Sequence, residues 1–277
     1  MVEALKPRRF RRASERAAKR YSTDLRDREW EIVEPLLPRP KARGRKRQVW
    51  QREILNAIFY QIHNGGIWSD LPTDLPAYQT VYKYFRRWQR QGVWQQIHDA
   101  LRQQVRVSAG KQPQASAGSL DSQSVKTDGN KGEVYGFDGG QLIKGRKRFI
   151  LVDTLGMLMA VVVVNANCSE QGGGVMAVET LEPEQAKALT LIWVDQGYQG
   201  ENFARVVVQL CGATVEVVKR ADPGFVLLPK RWVVERTLAW INQNRRLSKD
   251  DELLPEMSEA IIQGSMIRLK QKPQVIR

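Results

Sequence analysis

Residues 147–165, "KRFILVDTLGMLMAVVVVN", constrain the fold more than any other stretch of the chain. Apolar and β-branched residues fill two runs on either side of "LGM", and such side chains pack well on a pleated surface. The pattern predicts a β-hairpin made of "KRFILVDT" and "LMAVVVVNA". A short strand, "SLDSQSVK", precedes it and ends in polar residues. "LTLIWV" is a further buried strand that terminates at Asp195 and a glycine turn, and "ATVEVVKR" is another. Helical patterns cover 174–187, 200–210 and 230–247. The order β-β-β-α-β-α-β-α predicts an α/β domain with helices on a mixed sheet.

The chain ahead of these strands has helical periodicity. "STDLRDREWEIVEPLLP" opens on cap-type residues and closes on Pro38, with Trp30, Val33 and Leu37 on one face. A second helix spans 48–63, with Trp50, Ile54, Ala57 or Ile58, and Ile62 in register. "NGGIWSDLPTDLP" is a loop. A third helix, "AYQTVYKYFRRWQRQG", has Tyr78, Val81, Tyr82, Phe85 and Trp88 on its apolar side, and a fourth covers 93–105. These elements give a basic arm at 1–20, a helical domain at 21–107 and a linker at 108–118. The α/β domain follows at 119–250 and a C-terminal helix and tail at 251–277. The third helix ends in Arg86, Arg87 and Arg90 and follows a turn, which suits a helix-turn-helix recognition element. A core helix with a charged outer face would show the same pattern. The arm reads equally as a DNA-contacting segment or a disordered tail.

Charge narrows the partner. With 44 Lys+Arg against 30 Asp+Glu the net charge is +14 and the pI about 10.0. A polyanion is the expected partner, nucleic acid first and an anionic membrane second. The longest apolar run, Leu155 to Val164, is too short to span a bilayer, and the basic N-terminus lacks the apolar core of a secretory signal. Cys168 and Cys211 form no metal-ligand spacing, so a reducing, cytosolic setting is expected. His63 and His98, far apart, argue against a zinc enzyme or a histidine-based nuclease.

Three acids stand out in the second half. Asp121 sits near the end of the first strand, and Asp195 follows "LTLIWV". If those two strands are neighbours, the aspartates meet where the loops of an open sheet converge. Carboxylates held close repel unless a cation or proton lies between them, and Mg²⁺ or Mn²⁺ suits an all-oxygen set. Glu235 is the only carboxylate in the basic stretch 228–249 and completes a triad able to hold two metals about 3.5–4 Å apart for in-line phosphoryl transfer. Each acid also has a plainer reading: a turn or cap residue for Asp121 and Asp195, a surface ion pair with Arg231 for Glu235. The cations expected on the DNA backbone are Arg45, Lys46, Arg47, Arg86, Arg87, Lys144, Lys147, Arg231, Arg236, Arg245 and Arg246.

Several of these stretches, in this order, resemble a DDE transposase of the insertion-sequence-five superfamily, related to the insertion-sequence-four group. "YSTDLRDREWEIVEPLLP", "GGIWSDLP" and "QTVYKYFRRW" resemble its helical N-terminal domain. "LDSQSVKT", "WVDQGYQG" and "GFVLLPKRWVVERTLAWINQNRRLSKD" resemble its three acid motifs, marking Asp121, Asp195 and Glu235. The resemblance implies an RNase H-like mixed sheet flanked by helices, preceded by an all-α helix-turn-helix-like domain. It implies a transposase that binds the terminal inverted repeats of an insertion sequence, then cleaves and transfers strands with two divalent metal ions, Mg²⁺ or Mn²⁺. Double-stranded DNA is the implied partner, in a homodimer or larger synaptic assembly in a bacterial-type, nucleoid-associated cytoplasm. No membrane and no small-molecule cofactor are expected. Around the third acid, Arg231 and Glu235 fit the family spacing. Leu228 stands where the family has Tyr and Asn242 where it has Lys, leaving the phosphate contact to Arg245 or Arg246. Only 39 residues separate Asp195 from Glu235, too few for the β-rich insertion of some relatives. The segment "NCSEQGGG" reads as a flexible loop.

Overall fold

The structure, a computed structural model, describes residues 20–39, 49–127, 132–218 and 232–270. Four helices come first: α1 (Asp27–Val33), α2 (Gln51–Asn64), α3 (Tyr78–Arg90) and α4 (Val93–Ser108). The apolar spacing seen in the sequence is the buried spacing: Trp30, Val33 and Leu37, then Ile54, Ala57, Ile58 and Ile62, then Val81, Phe85 and Trp88. Tyr78 and Tyr82, expected on the apolar side of α3, are exposed instead. They sit at the margin of that face, where Tyr82 meets Trp68 edge-on.

The sheet follows: β1 (Ala117–Lys126), β2 (Gly136–Asp138), β3 (Ile143–Asp153), β4 (Leu158–Asn165), β5 (Leu191–Val194) and β6 (Thr214–Val217). Its order is β2-β3-β1-β5-β6, with β4 also on β3. β3 pairs antiparallel with β1, β2 and β4, while β1–β5 and β5–β6 are parallel, so the sheet is mixed. β3 and β4 form the hairpin that the apolar runs predict, around Gly156 with φ +75. β1 is longer than expected, and Asp121 lies in its middle rather than near its end.

Helices cover both faces. On one lie α5 (Glu170–Glu179), α6 (Pro183–Ala188) and α7 (Glu201–Cys211). The single helix expected over 174–187 is two, because Pro183 opens a new one. "NCSEQGGG" is not a flexible loop: Ser169 caps α5 by accepting from Gly172 N at 3.1 Å, and the glycines lie inside the helix. They let it settle onto the sheet. A Cβ on Gly173 would fall 2.1 Å from Phe149, and one on Gly174 within 2.8 Å of Tyr198.

The other face carries α8 (Trp232–Asn242) and α9 (Pro255–Lys270). The continuous helix expected over 230–247 stops at Asn242, and a separate turn follows at Arg245–Leu247. Buried Arg146 and Arg148 of β3 hold the chain beyond it. Arg148 donates to Leu247 O at 2.8 Å, and Arg146 to Asp250 at 3.0 Å and Glu252 O at 2.8 Å. One core joins α1–α4, α8, α9 and this face of the sheet, through Phe59, Trp94, Ile150, Val161, Val234, Ile261 and Met266. This core takes residues from both sides of the linker expected at 108–118. A second core lies under α5 and α7. Among the described residues, no helix is long and apolar enough to cross a membrane.

Candidate active site

The aspartates are placed by strand register. In the parallel pair, Ala117 stands beside Leu191, Gly118 beside Ile192 and Ser119 beside Trp193. The same offset continued two residues past the last of these puts Asp121 beside Asp195. Side-chain direction agrees. Ile150 belongs to the core under α8, while Phe149 and Leu151 belong to the core under α5. Opposed residues of an antiparallel pair project to one face, so Asp121, opposite Ile150, points to the α8 face. On β5, Ile192 and Val194 point to the α5 side, so Trp193 and Asp195 point the other way. Asp195 Oδ1 accepts from Gly197 N at 2.9 Å, which caps the turn Gln196–Tyr198 and holds the carboxylate at the strand end.

Glu235 rides on α8. Val234, Leu238 and Ile241 are buried, and the Thr237 hydroxyl donates to Gly156 O at 2.8 Å. Arg236 is stacked between Trp232 and Trp240 and donates to Leu155 O at 2.9 Å, on the flank that meets the β3–β4 turn. At about 100° per residue, Glu235 emerges on the other, exposed flank of α8. All three acids thus share one side of the sheet. The extended strand offset would set Asp121 and Asp195 side by side, and Glu235 rides on the helix that covers the same face. Among the described residues no three His, Cys, Asp or Glu side chains stand close enough to enclose a metal ion.

On the α5 side of the aspartates lie groups that sequence reasoning missed. Glu170, the first residue of α5, accepts from the Ser122 hydroxyl at 2.7 Å and pairs with the Lys147 ammonium at 2.5 Å. Lys147 also lies 3.6 Å from Asp138, whose carboxyl the Ser124 hydroxyl bond holds low. Tyr198 is only 1% exposed; burial pushes its phenol well up, and the charges of Glu170, Asp121 and Asp195 add to the shift. The signals were there: Tyr198 stands in "DQGYQG" three residues after Asp195, and Glu170 follows a cap serine.

The cations divide. Arg87, Lys144 and Arg245 are exposed, and Arg86 is half-buried. Lys147, expected on DNA, is 5% exposed and held by two acids inside the protein. Arg236 is consumed by its tryptophan stack. Arg246 pairs with Glu252 at 2.6 Å, donates to Gly66 O and lies over the Trp68 ring. Arg45, Lys46, Arg47 and Arg231 lie outside the described residues.

Comparison with known proteins matches both halves. Residues 25–98 fit the family model described as "Putative transposase of IS4/5 family", and residues 112–252, just over half of the chain, fit the model described as "Transposase DDE domain". The "Insertion element IS402 uncharacterized 16.2 kDa protein" of Burkholderia cepacia is 34% identical over 106 residues, 36% of this chain and 71% of that protein. The "Putative transposase for insertion sequence element IS402" of the same organism is 28% identical over 109 residues, 37% of this chain and 52% of that protein, so the chain spans about half its length. The mixed sheet under helices on both faces is the RNase H-like arrangement of the matched domain. With that domain over 112–252 and the matching helices before it, the chain belongs to the DDE transposases of the IS4/IS5 kind.

Proposed function

We infer that this transposase binds the terminal inverted repeats of an insertion sequence and that Asp121, Asp195 and Glu235 are the acids of its strand cleavage and strand transfer. The shared register offset of Asp121 and Asp195, on the face covered by the helix that bears Glu235, carries the reading. The three are oxygen donors with no imidazole or thiolate among them, a set that fits Mg²⁺ or Mn²⁺. Two such ions, when bound, would activate water or a 3′-hydroxyl and stabilise the leaving oxygen. Asp121 supplies a carboxylate from mid-strand, paired with β3 along its length. Asp195 supplies one whose direction Gly197 N sets. Glu235 moves only with α8, so the seating of that helix on the sheet decides whether the third acid meets the other two. Of the cations expected on DNA, Arg87, Lys144 and Arg245 are exposed to hold phosphates, with Arg45, Lys46, Arg47 and Arg231 expected to join them. Bridging two element ends calls for a dimer or larger assembly.

The test uses oligonucleotides bearing the element's ends, in Mg²⁺. Asp195→Asn and Glu235→Gln should each abolish cleavage and strand transfer while a footprint on the inverted repeats persists. Full strand transfer by both variants would sink the acid assignment, and the absence of any footprint would sink the end-binding one.

A further inference from the structure

The β1–β5 ladder runs to Ser119 and Trp193, two residues short of the aspartates. Beyond that point a side chain links the two segments. Glu170 touches both. Toward β1 it accepts from the hydroxyl of Ser122, the residue after Asp121. Toward the Asp195 turn its Cγ is so close to Gly197 that an added Cβ there would lie 2.9 Å away. That same Cβ would lie 3.1 Å from Asp195 Oδ1, so Glu170 and Asp195 flank one glycine. The Tyr198 hydroxyl, buried beside Glu170, closes no hydrogen bond of regular geometry. Lys147, itself anchored by Asp138, holds the Glu170 carboxylate from the third side. The carboxylate is thus fixed by an ammonium and a hydroxyl, with a phenol in reserve, between the two segments that carry Asp121 and Asp195.

We propose that Glu170 is a positioning residue that sets the spacing of Asp121 and Asp195, with Lys147 fixing it, its contact with Gly197 reaching the Asp195 turn and the Tyr198 hydroxyl beside it as a further donor. Glu170 itself touches no reacting atom. When a cation draws the aspartates together, the strut limits how far β1 and the turn can shift, and the Tyr198 hydroxyl has a donor to give to whichever carboxylate approaches. Outer-shell groups of this kind change metal affinity or activity by about 10- to 100-fold. The inference rests on the reading that Asp121 and Asp195 hold the metal.

The test measures Mn²⁺ binding to the full chain by electron paramagnetic resonance, alongside kcat and KM for cleavage of end-bearing DNA. Glu170→Ala should weaken Mn²⁺ binding about tenfold and lower kcat by about 10- to 100-fold, with KM for DNA unchanged. Tyr198→Phe should move both in the same direction by less, and Glu170→Gln, which keeps an acceptor for Ser122, should recover part of the loss. Wild-type Mn²⁺ affinity and kcat in both Glu170→Ala and Tyr198→Phe would overturn the strut. So would a loss of Mn²⁺ binding that only tracks a general loss of folded protein and of DNA binding. Asp195→Asn separates the two readings: if it leaves Mn²⁺ binding intact, the acid assignment fails, and if it abolishes binding while Glu170→Ala does not weaken it, only the strut fails.

Discussion

Gly173 lies against the ring of Phe149 so closely that a Cβ there would sit 2.1 Å from one ring carbon and 2.2 Å from another. Phe149 is fully buried in the core under α5, so its ring has nowhere to retreat. Gly173→Ala sets a helix-propensity gain of about 1 kcal/mol against an overpacking cost of about 1–3 kcal/mol. Overpacking should win at a contact this short, giving a net loss of up to about 2 kcal/mol in urea unfolding. Because α5 begins at Glu170, cleavage should fall as well. A more stable variant would show that α5 is free to lift off the sheet.

Arg246 acts as a clamp between the two halves of the chain. It joins Glu252, Gly66 O and the Trp68 face. Burial pushes the Glu252 carboxyl up even with the guanidinium beside it. Arg246→Ala leaves that acid buried without its ion-pair partner and should cost about 3 kcal/mol, whereas Arg246→Ala with Glu252→Ala should cost less than the single change. A double-mutant cycle in urea measures the difference.

Glu259 makes stability depend on pH. It accepts from Val163 N at 2.9 Å, and burial pushes its carboxyl up to about 7. The folded value is above the unfolded one, so the folded state binds the proton more tightly. Stability is therefore greatest below the unfolded value, falls as pH rises through about 7, and is fully reduced above it. Glu259→Gln should melt several degrees above wild type at pH 8 and lose that advantage by pH 4.5. A constant difference between the two melting curves would assign the effect to packing instead.

Binding to DNA should divide the cations as their exposure does. Arg87→Ala, Lys144→Ala or Arg245→Ala should each weaken binding at low salt and lower the log–log salt slope by about 1. Lys147→Met should leave that slope alone and lower thermal stability, since its ammonium is already neutralised by Glu170 and Asp138. Filter binding across a salt series distinguishes the two classes.

Much of this was legible in the residues. The β3–β4 hairpin followed from its β-branched runs, and Asp195 was placed at a strand end by the glycine turn behind it. That β1 and β5 are neighbours entered only as a condition, because pairing between distant strands leaves no local periodicity. "NCSEQGGG" misled because glycine usually marks loops, while here close contact with Phe149 and Tyr198 overrides its helix propensity. In "KGRKRFILVD", Lys144 and Lys147 are expected on DNA. Lys147, Arg146 and Arg148 are buried because Glu170, Asp138 and the chain after α8 supply their partners, from residues far along the sequence. The packing of α9 was invisible for the same reason, and it bears on how DNA binding is studied: residues 1–107 alone lack the helix that packs on α2 and α4, so salt titrations need the full chain.

Distance along the chain also becomes a delay in time. α2 ends at Asn64 and its packing partner α9 begins at Pro255, so 191 residue positions separate them. At about 5–20 residues per second, a ribosome takes about 10–40 s to travel between them. Once Trp94 has been made, the newborn helices have it and Ile62 but still lack Gly264, whose missing side chain lets Ile62 approach. A nascent chain of this transposase should therefore recruit a holdase-type chaperone at its N-terminal helices and release it only once α9 has been made.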